Sequence, residues 1–265
     1  MRVTMLMDNI SAAPGITAEH GLSLYIETEK HRILFDTGSS DAFARNAETL
    51  GIDLAAVDIA FISHGHYDHT RGLPRFFELN DRAPVYIHRE AFEEYHASDE
   101  RNIGMPAQLK GNSRFILTDG SLRIDDKLSL ASFNDQPRPF PSHSGGLLMR
   151  RSGQDVQDEF RHEQYLSIRE AGSGRHTVIS GCSHKGILNI MRWLDPDTLI
   201  GGFHFMNLDT LGDGQSALDS AAQELLRHRA EYFTCHCTGK KQFDWLKTRM
   251  GDRLHYLAGG MSIEA

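Results

Sequence analysis

Apolar residues along the chain occur in short runs that predict strands, separated by segments with the periodicity of amphipathic helices. The run at 58–62 is typical of a buried strand, whereas the apolar residues of 215–229 recur at helical spacing. The predicted strands are 2–8, 22–28, 31–38, 58–62, 84–88, 114–118, 128–133, 164–169, 176–181, 198–201, 232–235 and 254–257. The predicted helices are 41–50, 71–79, 89–96, 187–194, 215–229 and 241–250. Residues 89–165 have the least clear pattern.

Several predicted strands end in a glycine-containing turn that carries a histidine. These turns are 63–70, 181–187, 201–204 and 235–239. Successive strands that end in this way are expected when one edge of a sheet carries a metal site.

The turn at 63–70 has the highest density of metal-binding side chains, namely His64, His66, Asp68 and His69. Imidazole and carboxylate ligands suit zinc, iron, manganese or cobalt. His64 and His66 alternate, so they can lie on the same side of an extended segment, whereas Asp68 and His69 point elsewhere. One short loop can therefore serve two neighbouring metal ions. The alternative is a polar loop with solvated histidines.

Composition narrows the class of protein. With 265 residues, of which 40% are hydrophobic, the chain is most simply one domain (1–265), with a lid or insertion at 89–162. A net charge of −8 without a basic cluster argues against nucleic acid, and no apolar stretch is long enough for a membrane span. A small molecule, phosphorylated or not, is the expected partner. The three cysteines fit a reducing cytoplasm, and the sequence does not indicate an oligomeric state.

The ligand turn has the HxHxDH form of the metallo-β-lactamase superfamily, which the chain resembles over most of its length. This resemblance implies an αββα sandwich with the turn at its edge. It implies that His64 and His66 bind one metal ion and that Asp68 and His69 bind the second. It also implies that His236, at the end of a late strand, is a further ligand.

The stretch LFDTG, which contains Asp36, recurs in the superfamily at the strand before the first helix. Asp36 is expected either to hydrogen-bond that turn or simply to form a turn of its own. The loop 9–21 occupies the position of a segment that covers the metal site in the superfamily.

The middle ligands are ambiguous, because Cys182 follows Gly181 where the superfamily has a bridging aspartate after a glycine. Cys182 as a thiolate, or His184 in the next turn, could replace that aspartate, and we favour His184. A helix-capping histidine is the alternative. His162 is a further candidate ligand, whose second ring nitrogen Glu163 could hold, unless that glutamate is exposed. The implied cofactors are two divalent metal ions, with zinc favoured and iron or manganese as alternatives.

Four motifs narrow the resemblance to a subgroup: SHGHYDHTRGL, GCSHKGILN, GGFH and HCTG. The chain is similar, from Val3 to Gly239, to proteins described as 7,8-dihydropterin-6-yl-methyl-4-(β-D-ribofuranosyl)aminobenzene-5′-phosphate synthase-like. That description implies joining a pterin methyl diphosphate to an arylamine, with loss of diphosphate.

Hydrolysis by a dinuclear metal site is the first functional hypothesis. Asp68 would orient a metal-activated water, and His204 would contact the substrate. Lys185, at a helix N-terminus, would help to bind an oxyanion or a phosphate, unless it is simply solvated. The second hypothesis is the pterin–arylamine transferase, in which the metals would hold the diphosphate leaving group.

The third hypothesis is a redox or metal-binding protein without hydrolytic turnover. Cys182, Cys235 and Cys237 near the predicted site motivate it. Superfamily members with a redox di-iron centre usually carry a glutamate at the second ligand position. His66 occupies that position here, which favours hydrolysis.

Overall fold

The computed structural model describes residues Met1–Ala265. It contains two seven-stranded sheets and one small sheet. The strands are β1 (Arg2–Met7), β2 (Ser23–Glu27), β3 (Arg32–Phe35), β4 (Ile59–Phe61), β5 (Val85–His88), β6 (Tyr95–Ala97), β7 (Phe115–Thr118), β8 (Ser121–Arg123), β9 (Leu128–Ala131), β10 (Leu147–Arg151), β11 (Gln154–Gln157), β12 (Tyr165–Arg169), β13 (His176–Ile179), β14 (Thr198–Gly201), β15 (Glu231–Thr234), β16 (Leu254–Tyr256) and β17 (Ser262–Glu264). The helices are α1 (Ala42–Thr49), α2 (Tyr67–Thr70), α3 (Leu73–Leu79), α4 (Ile187–Leu194), α5 (Gly214–Arg227) and α6 (Lys240–Met250). None of these helices is both long and apolar enough to cross a membrane.

Each large sheet has an antiparallel part and a parallel part. The first sheet has the order β17-β1-β2-β3-β4-β5-β7, antiparallel as far as β3 and parallel from β3 onwards. The second has the order β16-β15-β14-β13-β12-β9-β8, parallel from β16 to β13 and antiparallel thereafter. The small sheet has the order β11-β10-β6.

Alternating side chains of the strands contribute to two different cores. In β3, Leu34 packs with α1 and α3, whereas Ile33 and Phe35 pack between the two sheets. In β15, Tyr232 packs with α4, α5 and α6, whereas Phe233 points to the core between the sheets. Period-two alternation thus buries both faces of each sheet. The layers are helix, sheet, sheet, helix, and the predicted αββα sandwich is confirmed.

The carboxyl ends of the parallel strands of both sheets meet at one edge of the sandwich. The turn after β13 lies directly against the turn after β4, because a Cβ atom on Gly181 would collide with Ser63 Oγ. Only glycine permits this close approach. The histidine-bearing turns therefore converge at this edge, as predicted.

Two elements differ from the sequence-based expectation. The predicted helix at 89–96 is wrong: a single 3₁₀ turn, Arg89–Phe92, is followed by β6, where Tyr95 pairs with Met149 of β10. Pairing with a segment some fifty residues away overrides the local helical pattern. The strand at 254–257 is not the last, because β17 follows it and pairs antiparallel with β1. The segment 89–162 supplies β7 to the first sheet, β8 and β9 to the second, and the whole small sheet.

The loop 9–21 is fastened to α1 by one buried side chain. Asn46 Nδ2 donates to the carbonyl oxygens of Leu6 and Thr17 at 2.7 and 2.8 Å, and Asn46 Oδ1 accepts from the Thr17 N–H at 2.9 Å. One amide thereby ties β1, the loop and the helix together.

Replacing Asn46 by alanine is expected to lower the free energy of unfolding by about 1–3 kcal/mol, because buried backbone groups lose their partners. Urea denaturation followed by circular dichroism measures this change. Glu48→Ala, at an exposed position of the same helix, is the control and is expected to stay within about 0.5 kcal/mol of the wild type. Equal stability of Asn46→Ala and wild type would contradict the role given to this amide.

Candidate metal centre

Seven buried side chains with ligand atoms for metal ions meet at the edge of the sandwich. They form a first group, His64, His66 and His184, and a second group, Asp68, His69, Cys182 and His236. The ligand atoms of each group lie within 4.8 Å of one another. These two groups contain every predicted ligand except His162, and they include both Cys182 and His184, the two candidates for the place of the bridging aspartate.

Hydrogen bonds assign the ring protons of His64 and His69 to Nδ1. His69 Nδ1 lies 2.7 Å from Asp36 Oδ2, and Ser63 Oγ donates to the same oxygen at 2.7 Å. The Ser63 oxygen accepts in turn from His64 Nδ1 at 2.8 Å. Because the carboxylate can only accept, each imidazole keeps a lone pair on Nε2. Asp36 therefore supports the ligand turn, which is the first of its two expected roles.

Hydrogen bonds from neighbouring segments also place the ring protons of His184 and His236 on Nδ1. Ser144 Oγ donates to the His184 carbonyl at 3.2 Å, so it accepts from His184 Nδ1 at 3.1 Å. His236 Nδ1 donates to Asn9 Oδ1 at 2.8 Å, and the His236 backbone N–H donates to Asp8 at 2.6 Å. Asp8, Asn9 and Ser144 belong to no metal-binding motif, so the sequence pattern did not identify them.

The ε-nitrogens consequently face other acceptors with no proton between them. His64 Nε2 and His184 Nε2 are 3.2 Å apart, and His236 Nε2 is 3.2 Å from Asp68 Oδ2. His66 Nε2 is buried without a hydrogen-bond partner. Buried lone pairs in such an arrangement are satisfied by a cation, which makes this donor set fit divalent metal ions.

Burial lowers the pKa of His66 to about 3 and the pKa of His236 to about 4, so these two rings present lone pairs at neutral pH. Desolvation alone would lower the pKa of His69 as well, but the carboxylates of Asp36 and Asp68 together raise it. Burial also raises the pKa of the Cys182 thiol well above its usual value. A bound metal ion would displace that thiol proton, since thiols deprotonate when they coordinate metals.

His20, a residue of the loop 9–21, joins the second group from the solvent side. Its Nε2 lies 3.2 Å from Asp68 Oδ2, and 43% of its side chain is exposed. Its ring centroid is 4.8 Å from that of His236. Sequence patterns did not identify this residue, because its loop carries no recognised motif.

His162 lies beside the ligand turn with both ring nitrogens engaged by protein atoms. Its Nδ1 accepts from the Gly65 N–H at 2.8 Å, and its Nε2 lies 3.1 Å from Asp158 Oδ2. Asp158 Oδ2 is also 3.9 Å from His66 Nε2, so His66, Asp158 and His162 make a third cluster. Any metal bond to His162 would have to replace one of these two contacts.

The expectations for Glu163 and Lys185 need correction. Glu163 is buried, and its carboxylate accepts from the backbone N–H groups of His184 and Lys185 at 2.6 and 3.0 Å and from the Tyr165 hydroxyl at 2.6 Å. It therefore positions the turn that carries His184. Lys185, expected as a substrate contact or a solvated residue, is fully buried, and its ammonium donates to the carbonyls of Ser132 and Glu163. This enclosed ammonium does not reach a substrate.

His204, the predicted substrate contact, lies next to the first group. Its ring centroid is 4.4 Å from that of His184, and its Nδ1 lies 3.3 Å from the His143 carbonyl oxygen. The neutral ring therefore keeps a lone pair on Nε2. His204 has a φ of +56° and His236 a φ of +48°, in the left-handed region that non-glycine residues rarely adopt. Such strain is typical of residues that a functional site holds in place.

Comparisons with known proteins agree with this geometry. A sequence model of the metallo-beta-lactamase superfamily matches residues 16–159, more than half of the chain. Two proteins of Methanocaldococcus jannaschii are similar. The uncharacterized protein MJ0448 is 28% identical over 252 residues, covering 90% of this chain and 91% of that protein. The 7,8-dihydropterin-6-methyl-4-(beta-D-ribofuranosyl)-aminobenzene-5'-phosphate synthase is 28% identical over 273 residues, covering 93% and 90%.

Among solved structures, Tm1679, described as a metal-dependent hydrolase of the beta-lactamase superfamily, superposes with a TM-score of 0.84 and 28% identity. The superposition covers 100% of this chain and 99% of that one. The profile match, the αββα layers and the donor groups at the sandwich edge lead to one conclusion: the chain belongs to the metallo-beta-lactamase superfamily.

Proposed function

We propose that this protein is a metal-dependent hydrolase that acts on a small substrate with two divalent metal ions. The observation that carries the proposal is the convergence of seven metal-binding side chains in two adjacent buried groups, in which His66 Nε2 and His236 Nε2 are buried without a hydrogen-bond partner. Two-metal sites of this kind are common in enzymes that hydrolyse esters and phosphoesters. The similarity to Tm1679, described as a metal-dependent hydrolase, supports the same reaction class.

In the proposed ligand set, the first group, His64, His66 and His184, holds one ion. The second group, Asp68, His69, Cys182 and His236, holds the other, with the Cys182 thiolate in place of the missing aspartate. Nitrogen, carboxylate and thiolate donors together suit zinc best, and thiolate is a poor ligand for manganese. We assign His162 to positioning the backbone of Gly65, since both of its nitrogens already have protein partners.

When bound, a pair of divalent ions supplies a water of lowered pKa and polarises the attacked oxygen. The residues of the chain then have separate tasks. Asp68 accepts hydrogen bonds and orients the water, and His20, whose Nε2 lies 3.2 Å from Asp68 Oδ2, holds its carboxylate in place. His204 contacts the substrate through Nε2. A phosphate group on the substrate would be bound by the metal cations, because the ammonium of Lys185 is buried.

The alternative function is a pterin–arylamine transferase. The observation in its favour is the similarity, over 93% of the chain, to the M. jannaschii protein described as the dihydropterin–ribofuranosylaminobenzene phosphate synthase. The same ligand groups would then hold a diphosphate leaving group instead of activating a water.

Protein purified without chelators is expected to contain about two metal ions per chain, mainly zinc. His184→Ala is expected to retain about one, because the first group loses one of its three nitrogens. His162→Ala is expected to retain both ions, since it removes only hydrogen bonds to protein atoms. Elemental analysis by mass spectrometry measures the metal content.

The matched control for these variants is His255→Ala, a partly exposed histidine whose Nε2 lies 3.0 Å from Glu231 rather than from a ligand. It is expected to keep the metal content of the wild type. Two ions in His184→Ala, or one ion in the wild type, would refute the proposed ligand set.

Metal-loaded protein is expected to hydrolyse at least one member of a panel of aryl phosphodiesters, aryl esters and lactones. His66→Ala is expected to lower kcat/KM on that substrate by about a hundredfold or more, because even partners behind a ligand contribute up to that much. Chelation followed by zinc addition should abolish and then restore the rate, as measured by spectrophotometry. His255→Ala serves again as the control.

The same preparation, supplied with a pterin methyl diphosphate and an arylamine ribofuranosyl phosphate, distinguishes the two functions. Hydrolysis of the panel without a coupled pterin–arylamine product supports the hydrolase. Formation of that product in the absence of panel activity would replace the hydrolase by the transferase.

A further inference from the structure

A cavity of about 320 Å³ lies beside the candidate metal centre, at the low end of the size range of ligand pockets. It is bounded by α4, α5, the turn after β14 and the strap, our name for residues 136–144. Its lining includes aromatic rings and small side chains of α5. The aromatic residues are Phe140, Phe203 and Phe205, and the small residues of α5 are Ala217, Ser220 and Ala221.

The strap that closes this cavity is held in place by side chains of α4. Asn189 Oδ1 accepts from the Phe140 N–H at 3.0 Å, and Asn189 Nδ2 donates to the Phe140 carbonyl at 2.9 Å. Trp193 Nε1 donates to the Pro137 carbonyl at 3.2 Å. The Asn189 side chain thus satisfies both the N–H and the carbonyl group of Phe140, as a neighbouring strand would. The cavity wall is therefore built into the fold.

The charges around the cavity select against an anion. No lysine or arginine lines it, and its single acidic residue, Glu224, is paired with Arg227 at 3.0 Å. A phosphate or carboxylate would have no cation to pair with there. Uncharged rings, in contrast, gain by burial and by offset or edge-to-face contact with other aromatic rings.

A chain of contacts joins the cavity to the metal centre. His143 lines the cavity, and its ring packs edge-on against Phe205 with centroids 5.4 Å apart. The carbonyl of His143 is the group that holds His204, whose ring lies 4.4 Å from that of His184. The cavity and the first group are therefore linked through His143 and His204, which makes the cavity a candidate place for a substituent of the substrate.

We propose that this cavity is the subsite for a flat, uncharged aromatic ring of the substrate. The inference rests on the proposed hydrolase function for its place in the reaction, whereas ring binding itself requires no turnover. It restricts the substrate class to compounds in which an aryl group is attached close to the hydrolysed bond.

Fluorescence titration of the metal-loaded protein with 2-naphthol, a neutral two-ring probe, tests the subsite. Ala217→Leu adds bulk to the α5 wall and is expected to weaken binding by about tenfold or more, because overfilling a packed site is unfavourable. Ser220→Leu, one turn further along the same wall, provides a second variant if the first fails to fold. Metal content and Tm establish that each variant is intact.

Gln223→Leu, exposed on the same helix and outside the cavity, is the matched control and is expected to bind 2-naphthol like the wild type. In turnover, the preference for a naphthyl over a methyl substituent at the hydrolysed bond is expected to fall in Ala217→Leu and to remain in Gln223→Leu.

Absence of naphthol binding to the wild type, or equal binding by folded Ala217→Leu, Ser220→Leu and wild type, would overturn the subsite. Equal weakening in Gln223→Leu would do the same, because it would place the probe elsewhere. Naphthol binding with the expected variant pattern, but with no hydrolysis of any substrate, would support the ring site and reject the hydrolase function.

Discussion

The sandwich edge is governed by one constraint: imidazole nitrogens are buried there without hydrogen-bond donors to satisfy their lone pairs. Such groups destabilise a fold unless a cation lies among them and their outer nitrogens are held by the protein. Asp36 meets the second requirement for two rings at once, directly for His69 and through Ser63 for His64. The concentration of buried polar residues behind the ligands follows from this requirement.

Two segments far apart in the chain fix the geometry of the ligands. The loop 9–21 brings His20 towards Asp68, and it begins at Asn9, which fixes the ring of His236. The strap ends at Ser144, which fixes the ring of His184. A displacement of either segment would therefore release a ligand ring.

Local patterns in the sequence were sufficient to predict most strands and helices and the ligand turn. Period-two and helical repeats predict most strands and helices, the resemblance to the superfamily implies the αββα layers, and the HGHYDH turn stands out by its density of metal-binding side chains. Contacts that join distant segments could not be predicted. The sequence allowed Glu163 to hold His162 or to be exposed, and Lys185 to bind an anion or to be solvated. Nothing near either residue in the chain indicates that backbone groups elsewhere satisfy its charge. The β6 strand was misread as helix for the same reason, since its partner is β10.

The support of His236 by Asp8 and Asn9 joins residues 228 and 227 positions apart. Asp8 and Asn9 directly follow β1, and one edge of this strand pairs only with β17, near the end of the chain. Closing so long a loop carries an entropic penalty, and contacts of this separation form slowly. The second ligand group therefore cannot assemble before synthesis has reached His236. Uptake of its metal ion would mark the completion of folding of the whole chain.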